Sequence, residues 1–258
     1  SVMRKEVFEK WDLLPLSHSK LASFKQFPCQ FIINKIYKLD TGDNPSMSAG
    51  RNVEKALYRY LTEGEKNKQE IVSECIDNFC KDMEPYQYDT KIIKKFCEDL
   101  IPKWINQSWQ LTNKNYKIHS YQEKIETEIL GIPFIGYTDF IFDLDEELLI
   151  YDLKIKKQMR HTRSEILQQL IYKKALEEKY DKKVSCSILS CTPTKYEITE
   201  IEEEQDHWVE IHNNIKGLYT VLDKCETPEE LALIYQPIVD SWEWNDNNKQ
   251  IRREIWGV

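Results

Sequence analysis

Helical spacing of apolar residues dominates the first part of the chain. In residues 17–37 it follows a serine-rich opening that is suited to an N-cap, and Pro28 is expected to break or kink this helix. A second apolar stripe predicts a helix over 50–63, and further helical patterns cover 67–83 and 90–110. The middle of this helical region carries no motif that indicates chemistry.

Strand patterns follow the helices. Residues 117–130 alternate in part and end at a turn over 131–133, and the runs 134–142 and 150–155 are mostly apolar. Between these two runs, residues 143–147 are polar and suited to reversing the chain. The pattern therefore predicts a strand followed by a β-hairpin.

An amphipathic helix over 163–180 and a short buried strand over 184–191 complete the central pattern. The rest of the chain is predicted to be mostly helical, over 202–223 and 227–241. Because strands that are apolar on both faces are covered on both sides, this order predicts an α/β core.

The chain shows no internal repeat and no low-complexity linker, which favours a single domain over 1–258. Hydrophobic residues make up 41% and charged residues 31% of the sequence, which is ordinary for a globular protein with a full core. The core is expected over 17–61 and 116–192, with a helical insertion over 65–112 and a helical C-terminal extension over 200–258.

Cysteine usage and the lengths of apolar runs bear on the compartment. The seven cysteines are scattered without a Cys-x-x-Cys pair, which argues against a zinc ribbon and against a secreted disulfide framework. No apolar stretch approaches the roughly 18 residues that span a bilayer, and the first residues lack the apolar region of a signal peptide. We therefore expect free thiols, a cytoplasmic or other intracellular location and no membrane contact.

The net charge of −8 disfavours nucleic-acid binding at first sight, but the charges are unevenly distributed. Residues 154–163 hold five lysines and arginines and no acid, whereas residues 197–206 hold six acids. This basic strip is compatible with a polyanionic substrate, although such a run is also typical of a solvated surface.

The predicted hairpin brings two acids together. If it is centred between Asp145 and Glu146, Asp139 falls opposite Asp152, with Cβ atoms about 5 Å apart. Lys154, two residues further along the strand, projects from the same face. Like charges so close in apolar surroundings are costly unless a cation lies between them, so the sequence predicts a cation site.

Short motifs surround this acid pair in a fixed order. They are Ser17-His18-Ser19-Lys20-Leu21 with Phe27-Pro28-Cys29, then Gly50-Arg51-Asn52-Val53-Glu54, Gly136-Tyr137-Thr138-Asp139, Asp152-Leu153-Lys154 and Gln168-Gln169-Leu170-Ile171-Tyr172. In this order they resemble the PD-(D/E)xK nuclease superfamily, in particular its branch of RecB-type and CRISPR-associated exonucleases. The resemblance covers 17–61 and 116–192, about half of the chain. It implies a restriction-endonuclease-like core of a helix, a three-stranded meander, a helix and a strand, with added helices.

The resemblance also implies a metal site. Asp139 and Asp152 would bind one or two Mg²⁺ or Mn²⁺ ions together with the backbone carbonyl of Leu153, because these hard cations take oxygen ligands. Glu54 would reach the ions from its helix, and Lys154 would orient the attacking water or stabilise charge on the phosphate. Without a metal, the same residues are interpreted as surface acids, with Lys154 in a salt bridge and Glu54 solvated.

Further residues are expected to act on the substrate. Gln168 and Tyr172 share a helical face and would position the metal-bound water and the DNA backbone, or else cap the sheet. Contacts to DNA phosphates are expected from the basic residues that follow the catalytic strand. These residues are Lys156, Lys157, Arg160, His161 and Arg163.

The chain departs from this branch in its cysteines. Many members hold an iron–sulfur cluster through one cysteine near the N-terminal helix and a closely spaced group near the C-terminus. After residue 191, Cys225 is the only cysteine in this sequence. We therefore expect no iron–sulfur cluster and interpret Cys29 as a core residue. A Gly-x-x-x-x-Gly-Lys-[Ser/Thr] phosphate loop is also missing, so no helicase activity is expected.

The combined prediction is a metal-dependent DNA exonuclease that acts on single- or double-stranded ends and, by the resemblance, leaves a 5′-phosphate and a 3′-hydroxyl. Its expected setting is recombination, repair or replication, including that of a phage or virus, with proteins of those processes as partners. Two alternatives stay open: a site-specific or structure-specific endonuclease of the same superfamily, and a non-catalytic nucleic-acid-binding protein on a decayed nuclease fold. Cleavage polarity, DNA versus RNA substrate and oligomeric state do not follow from the sequence.

Overall fold

A computed structural model describes residues 3–64 and 67–258. Residues 1 and 2, which the predicted domain includes, and residues 65 and 66, with which the predicted insertion begins, lie outside the described residues. Organisation as a single domain stays a prediction.

The chain divides into two compact units. The sheet unit comprises Asp43–Glu123 and Tyr137–Glu202, and the terminal unit comprises Ser1–Gly42, Lys124–Gly136 and Glu203–Val258. In chain order, the α-helices of the described residues are α1 Lys5–Lys10, α2 His18–Gln26, α3 Pro28–Phe31, α4 Pro45–Glu63, α5 Lys68–Met83, α6 Thr90–Lys95, α7 Ile101–Ser108, α8 Arg163–Tyr180, α9 Gln205–Lys224, α10 Pro228–Ile234 and α11 Lys249–Trp256. The strands are β1 Lys117–Tyr121, β2 Lys124–Ile129, β3 Ile132–Tyr137, β4 Phe140–Asp143, β5 Glu147–Ile155, β6 Lys183–Cys191 and β7 Tyr196–Glu200.

The sheet has five strands in the order β1-β4-β5-β6-β7. Strand β4 pairs with β1 and β5 in antiparallel fashion, β5 pairs with β6 in parallel fashion, and β7 returns antiparallel to β6. Helix α8 makes the crossover from β5 to β6, as a parallel connection requires. The meander, the crossover helix and the next strand confirm the predicted α/β fold class.

Helix α4 begins earlier than its apolar stripe predicts. Asn44 caps it by accepting a hydrogen bond from the Met47 N–H at 2.9 Å, and Pro45 occupies the first turn, where its missing N–H costs nothing. The helix ends at Gly64, whose φ of 82° is accessible to glycine. The predicted range of 50–63 therefore lacks the first five residues of the helix. The helix begins earlier because Asn44 caps it and Pro45 fits its first turn.

The core of the sheet unit lies between helices α4 to α7 and one face of the sheet. Phe79, Trp104 and Phe140 are all buried there. Because side chains alternate along a strand, Tyr151 and Leu153 face this core, whereas Lys154 contacts Gln168 of α8 on the other side. This alternation places the polar residues of β5 together on the α8 side.

Residues 117–130 form two strands rather than the single strand predicted. Gln122 has a φ of 52° and ends β1, and β2 pairs with β3 in a separate two-stranded sheet. The turn between β2 and β3 is formed by Leu130 and Gly131, both with positive φ, so Pro133 already lies in β3.

Other differences concern the last third of the chain. Strand β7 was missed because its residues lie in the acidic stretch that begins at residue 197, although three of them are half-buried. The helix predicted over 227–241 ends at Ile234. The break at Pro28 is confirmed, since Phe27 has non-helical φ and ψ between α2 and α3.

The terminal unit is mainly helical. Helix α9 packs on α1 and α2, and a single β-bridge joins Leu16 to Phe134 of β3. Within the described residues, none of the helices has both the length and the apolar character that a bilayer span requires.

Candidate active site

The β4–β5 hairpin places two acids across from each other. Phe140 pairs with Tyr151, so Asp139, directly before β4, comes opposite Asp152, which confirms the predicted register. The Leu153 N–H donates a hydrogen bond to Asp139 Oδ2 at 2.8 Å. This bond fixes the Asp139 carboxyl against β5, where it contacts the Asp152 carboxyl directly.

Lys154 lies beside Asp152 on the same face of β5. Its Nζ is 2.9 Å from Asp152 Oδ2 and donates a hydrogen bond to Gln168 Oε1 at 3.0 Å. Burial lowers the pKa of Lys154, but the charge and hydrogen bond of Asp152, together with the charges of Asp139 and Glu165, outweigh this effect and leave the pKa raised. The side chain is therefore an ammonium ion at neutral pH.

Glu54 approaches the acid pair from helix α4. Its carboxyl contacts the Asp139 carboxyl and the Tyr121 hydroxyl, and it accepts a hydrogen bond from Gln122 Nε2 at 3.3 Å. Burial raises the pKa of Glu54, and the charge of Asp152 raises it further, while these hydrogen bonds lower it. The net pKa is raised, so an ionised Glu54 is disfavoured in this arrangement.

The ionised form of the Asp139 carboxyl is strongly destabilised at this site. Burial raises its pKa well above the usual value, and the charges of Asp152 and Glu54 raise it further. Without added positive charge, the three neighbouring carboxyls cannot all ionise cheaply. Either a bound proton or a cation relieves this repulsion.

The donor atoms fit a hard divalent cation. Asp152 is buried, and its Oδ2, though near the Lys154 ammonium, accepts no well-aligned hydrogen bond. Among the described residues, no group of three or more Asp, Glu, His or Cys side chains is already gathered as a complete metal site. The oxygens of Asp139, Asp152 and Glu54 are instead a partial ligand set of the type that Mg²⁺ and Mn²⁺ prefer. Leu153 reaches this site through its N–H, and the metal-binding role of its carbonyl stays a prediction.

Helix α8 adds two further side chains to the site. Gln168 contacts both the Lys154 ammonium and the hydroxyl of Tyr172. Tyr172 is buried, and burial followed by the charges of Asp152 and Asp139 raises its pKa. The structure thus brings Gln168 and Tyr172 to the acid pair, while their roles toward water and DNA stay predictions.

The predicted DNA-binding residues fall into two groups. Lys156 forms a 2.9 Å ion pair with Glu165 and also contacts the Arg160 carbonyl, and His161 Nε2 lies 2.7 Å from Glu197 Oε2. The other three are exposed: Lys157, Arg160 and Arg163, with the Lys157 Nζ 5.6 Å from the centroid of the Phe96 ring. Acids outside the strip therefore offset part of its charge, and contact with DNA stays a prediction for all five.

A cavity beside Asp139 is lined in part by Gln122, a residue that the sequence did not single out. Its volume is about 390 Å³, and it is lined by Glu54, Gln122, Tyr137, Thr138 and Asp139. The Gln122 N–H donates to the Asp139 carbonyl at 2.9 Å, and the Thr138 N–H donates to the Glu123 carbonyl at 3.0 Å. These bonds extend the β1–β4 pairing past Gln122, which has a positive φ and donates its side-chain amide to Glu54.

Comparison with solved structures shows the fold. The crystal structure of a "Putative exonuclease" from Eubacterium rectale superposes with a TM-score of 0.55 at 13% identity, covering 86% of this chain and 85% of that chain. The match to the structure of the protein SSO0001 covers 83% of this chain and 98% of that chain at 14% identity, with a TM-score of 0.35. No curated protein matches the sequence.

Comparison with family models identifies the family. Residues 15–236 match the model described as the PD-(D/E)XK nuclease superfamily. This range includes the acid pair, Lys154, Glu54 and α8, so the match spans every side chain of the site described above. The chain belongs to the PD-(D/E)XK nuclease superfamily.

Proposed function

We propose that this protein is a metal-dependent DNA exonuclease that hydrolyses phosphodiester bonds. Family membership indicates a nuclease that binds nucleic acid, and members of the superfamily generally use divalent metal ions. The Eubacterium rectale protein, similar in fold, bears the name "Putative exonuclease". DNA as substrate, attack from strand ends and a setting in recombination, repair or replication are our extension of these findings.

The observation that carries the proposal is the set of Asp139, Asp152 and Lys154 on one hairpin. Burial raises the pKa of Asp139, the neighbouring Asp152 carboxyl raises it further, and the Lys154 ammonium lies beside Asp152. A protein that kept this set for stability alone would bear an unfavourable electrostatic arrangement, since buried like charges are costly. A bound cation would offset the negative charge of the two carboxyls, and a bound phosphate would offset the positive charge of the Lys154 ammonium.

Each side chain has a chemical task in this proposal. A Mg²⁺ or Mn²⁺ ion held by Asp139, Asp152 and Glu54 would supply Lewis acidity and an activated water. The Lys154 ammonium would stabilise the negative charge that develops on the phosphate, because its raised pKa keeps it protonated. Gln168 would hold that ammonium in place through its 3.0 Å hydrogen bond.

A degradation assay on end-labelled DNA tests the proposal. Linear single-stranded DNA, linear duplex and a closed circular plasmid are each incubated with Mg²⁺ or Mn²⁺ and with EDTA. We expect metal-dependent release of labelled products from the linear substrates, with 5′-phosphate ends, and an intact circle. Cutting of the circle would point to an endonuclease, and no cleavage of any substrate would contradict nuclease activity.

The assay needs variants that separate this protein from a contaminating nuclease. Lys154→Ala removes the ammonium, whereas Lys183→Ala removes an exposed lysine at the start of β6, seven residues before the position that pairs with Lys154. Loss of cleavage in Lys154→Ala with full cleavage in Lys183→Ala supports the assignment. Equal cleavage by both would show that the activity does not come from this site.

A further inference from the structure

The cavity beside Asp139 has the size of a small-molecule site. Its volume of about 390 Å³ lies within the range of roughly 300–1,000 Å³ that is typical of ligand pockets. Its lining includes the acids Glu54 and Asp139 and the aromatic residue Tyr137. Acidic and aromatic residues thus line one space.

Tyr137 offers an exposed aromatic ring at this cavity. The residue is 56% exposed, and within the described residues no other aromatic ring packs against it. By contrast, the neighbouring Tyr121 stacks on Tyr58 with ring centroids 4.2 Å apart. An exposed ring face at the edge of a cavity is available to a ligand.

The backbone holds Tyr137 at a defined place relative to Asp139. Thr138, between them, is fully buried and donates its N–H to the Glu123 carbonyl at 3.0 Å, and the Asp139 carbonyl accepts the Gln122 N–H at 2.9 Å. Tyr137 and Asp139 are two residues apart in the sequence, and both line the cavity. A nucleotide whose phosphate reaches Asp139 in this cavity can therefore place its base against the Tyr137 ring.

The acidic and aromatic residues of the cavity suit different parts of a nucleotide. The carboxyls of Glu54 and Asp139 repel a phosphate unless a cation accompanies it, so these acids suit a metal-bound phosphate. An uncharged, flat nucleobase meets no such repulsion at Tyr137. Stacking on an aromatic ring is tolerant of sequence because every base has a π-face.

We propose that Tyr137 is a stacking platform for a nucleobase of the bound strand, one nucleotide from the bond that is cleaved. This inference rests on the proposed nuclease function and deepens it by naming a base subsite. Stacking without base-edge hydrogen bonds gives binding without sequence preference, which is what degradation of strands of any sequence requires.

Steady-state cleavage kinetics test the subsite. The substrates are single-stranded oligonucleotides in which an abasic site is moved stepwise along the strand. In the wild type, one abasic position is expected to raise KM about tenfold, the scale of one base–aromatic stack. Tyr137→Ala is expected to raise KM about tenfold on normal DNA with kcat nearly unchanged, and to add no further loss at that abasic position. Such non-additivity is the signature of two changes that remove one contact.

Three variants separate stacking from other effects. Tyr137→Phe keeps the ring and should behave as wild type, whereas Tyr137→Leu keeps apolar bulk without a flat ring and should behave as Tyr137→Ala. Tyr196→Ala removes another exposed tyrosine, on β7, and should change nothing. Because Tyr137 is exposed, each variant should melt at the wild-type temperature.

The outcomes distinguish the subsite from the nuclease function itself. Wild-type KM in Tyr137→Ala or in Tyr137→Leu would overturn the stacking role while leaving nuclease activity established by the same assay. Additive losses from Tyr137→Ala and the abasic site would likewise overturn it. A wild-type protein that neither binds nor cleaves any oligonucleotide would overturn both proposals.

Discussion

Asp139 and Asp152 lie opposite each other across the β4–β5 hairpin, and the amide of the residue after Asp152 donates a 2.8 Å hydrogen bond to Asp139. The backbone of β5 therefore holds one carboxyl against the other. Because the strands fix this contact, relief of the repulsion has to come from a proton or a cation rather than from separation of the side chains. The first prediction follows from this relationship.

Protein stability without metal should fall as pH rises. Asp139 and Glu54 have raised pKa values in the folded state, so the folded protein binds their protons more tightly than the unfolded chain does. Their stabilising contribution is fully present below the ordinary carboxyl pKa and is lost as pH rises through the raised folded values. Each pKa unit corresponds to about 1.4 kcal/mol, and each kcal/mol corresponds to about 2–4 °C in Tm for a protein of this size.

Thermal unfolding in EDTA, Mg²⁺ and Mn²⁺ at several pH values measures this effect. The cation should raise Tm more at about pH 8 than at about pH 5, because it replaces the proton that the acids lose. In Asp139→Asn, which keeps an acceptor for the Leu153 N–H, Tm in EDTA should vary less with pH. Asp143→Asn, at the other end of β4, is the matched control and should retain the wild-type pH dependence. A cation effect that is equal at both pH values would contradict the electrostatic account.

Lys154 should act as a cation and not as a general base. Burial lowers its pKa, but the combined effect of Asp152 and of the charges of Asp139 and Glu165 is larger and raises it, so Lys154 stays protonated across the neutral range. Loss of one such charge-stabilising donor typically costs about 100- to 1,000-fold in kcat. We expect a loss of this size in Lys154→Gln, with no titration of Lys154 in the pH profile of the wild type below about pH 9.

Lys154→Arg is the informative companion variant. It keeps the positive charge but replaces a compact ammonium with a planar fork, so kcat should recover in part. The measurement is kcat against pH for all three proteins at a temperature below the lowest Tm. A rate that climbs through the alkaline range and disappears only when Lys154 is removed would assign it the role of a base instead.

Gln122 should tune metal binding through Glu54. Its amide donates to Glu54 at 3.3 Å from a backbone with a φ of 52°, a conformation that costs about 1–3 kcal/mol outside glycine. Residues that hydrogen-bond to metal ligands typically contribute 10- to 100-fold to metal affinity. In Gln122→Gly, the Mg²⁺ concentration for half-maximal cleavage should rise about tenfold or more, while the free energy of unfolding in EDTA should not fall.

A metal titration of cleavage rate, together with denaturant unfolding, measures both quantities on the same preparations. Gln87→Ala, at an exposed position between α5 and α6, serves as a control that should leave both unchanged. Loss of stability without a change in metal dependence would show that Gln122 has only a structural role.

The hairpin register was predictable because it depends on local rules. Side-chain period two along β5 and a polar turn at Asp145 and Glu146 were sufficient to pair Asp139 with Asp152. The order of short motifs then predicted the α/β core around that pair. These features are encoded within a few residues of each other or in their sequence order.

The residues that prediction missed depend on long-range contacts. Gln122 lies 68 positions from Glu54 in the sequence, and the residues next to Gln122 do not predict its positive φ. The pairing of His161 with Glu197 is of the same kind, because β7 supplies the partner. The motif Gly136-Tyr137-Thr138-Asp139 contains Tyr137, but the sequence does not show that this tyrosine is exposed and lines the cavity.

Cleavage of end-labelled DNA by Asp152→Asn, set against Glu146→Gln, tests the central claim most directly. Asp152→Asn keeps the shape of a buried side chain and removes its charge, whereas Glu146→Gln makes the same chemical change at an exposed position in the hairpin turn. With Mg²⁺ and matched preparations, the account predicts that Glu146→Gln degrades DNA as the wild type does and that Asp152→Asn is at least about 100-fold slower. Equal degradation by Asp152→Asn and the wild type would contradict it.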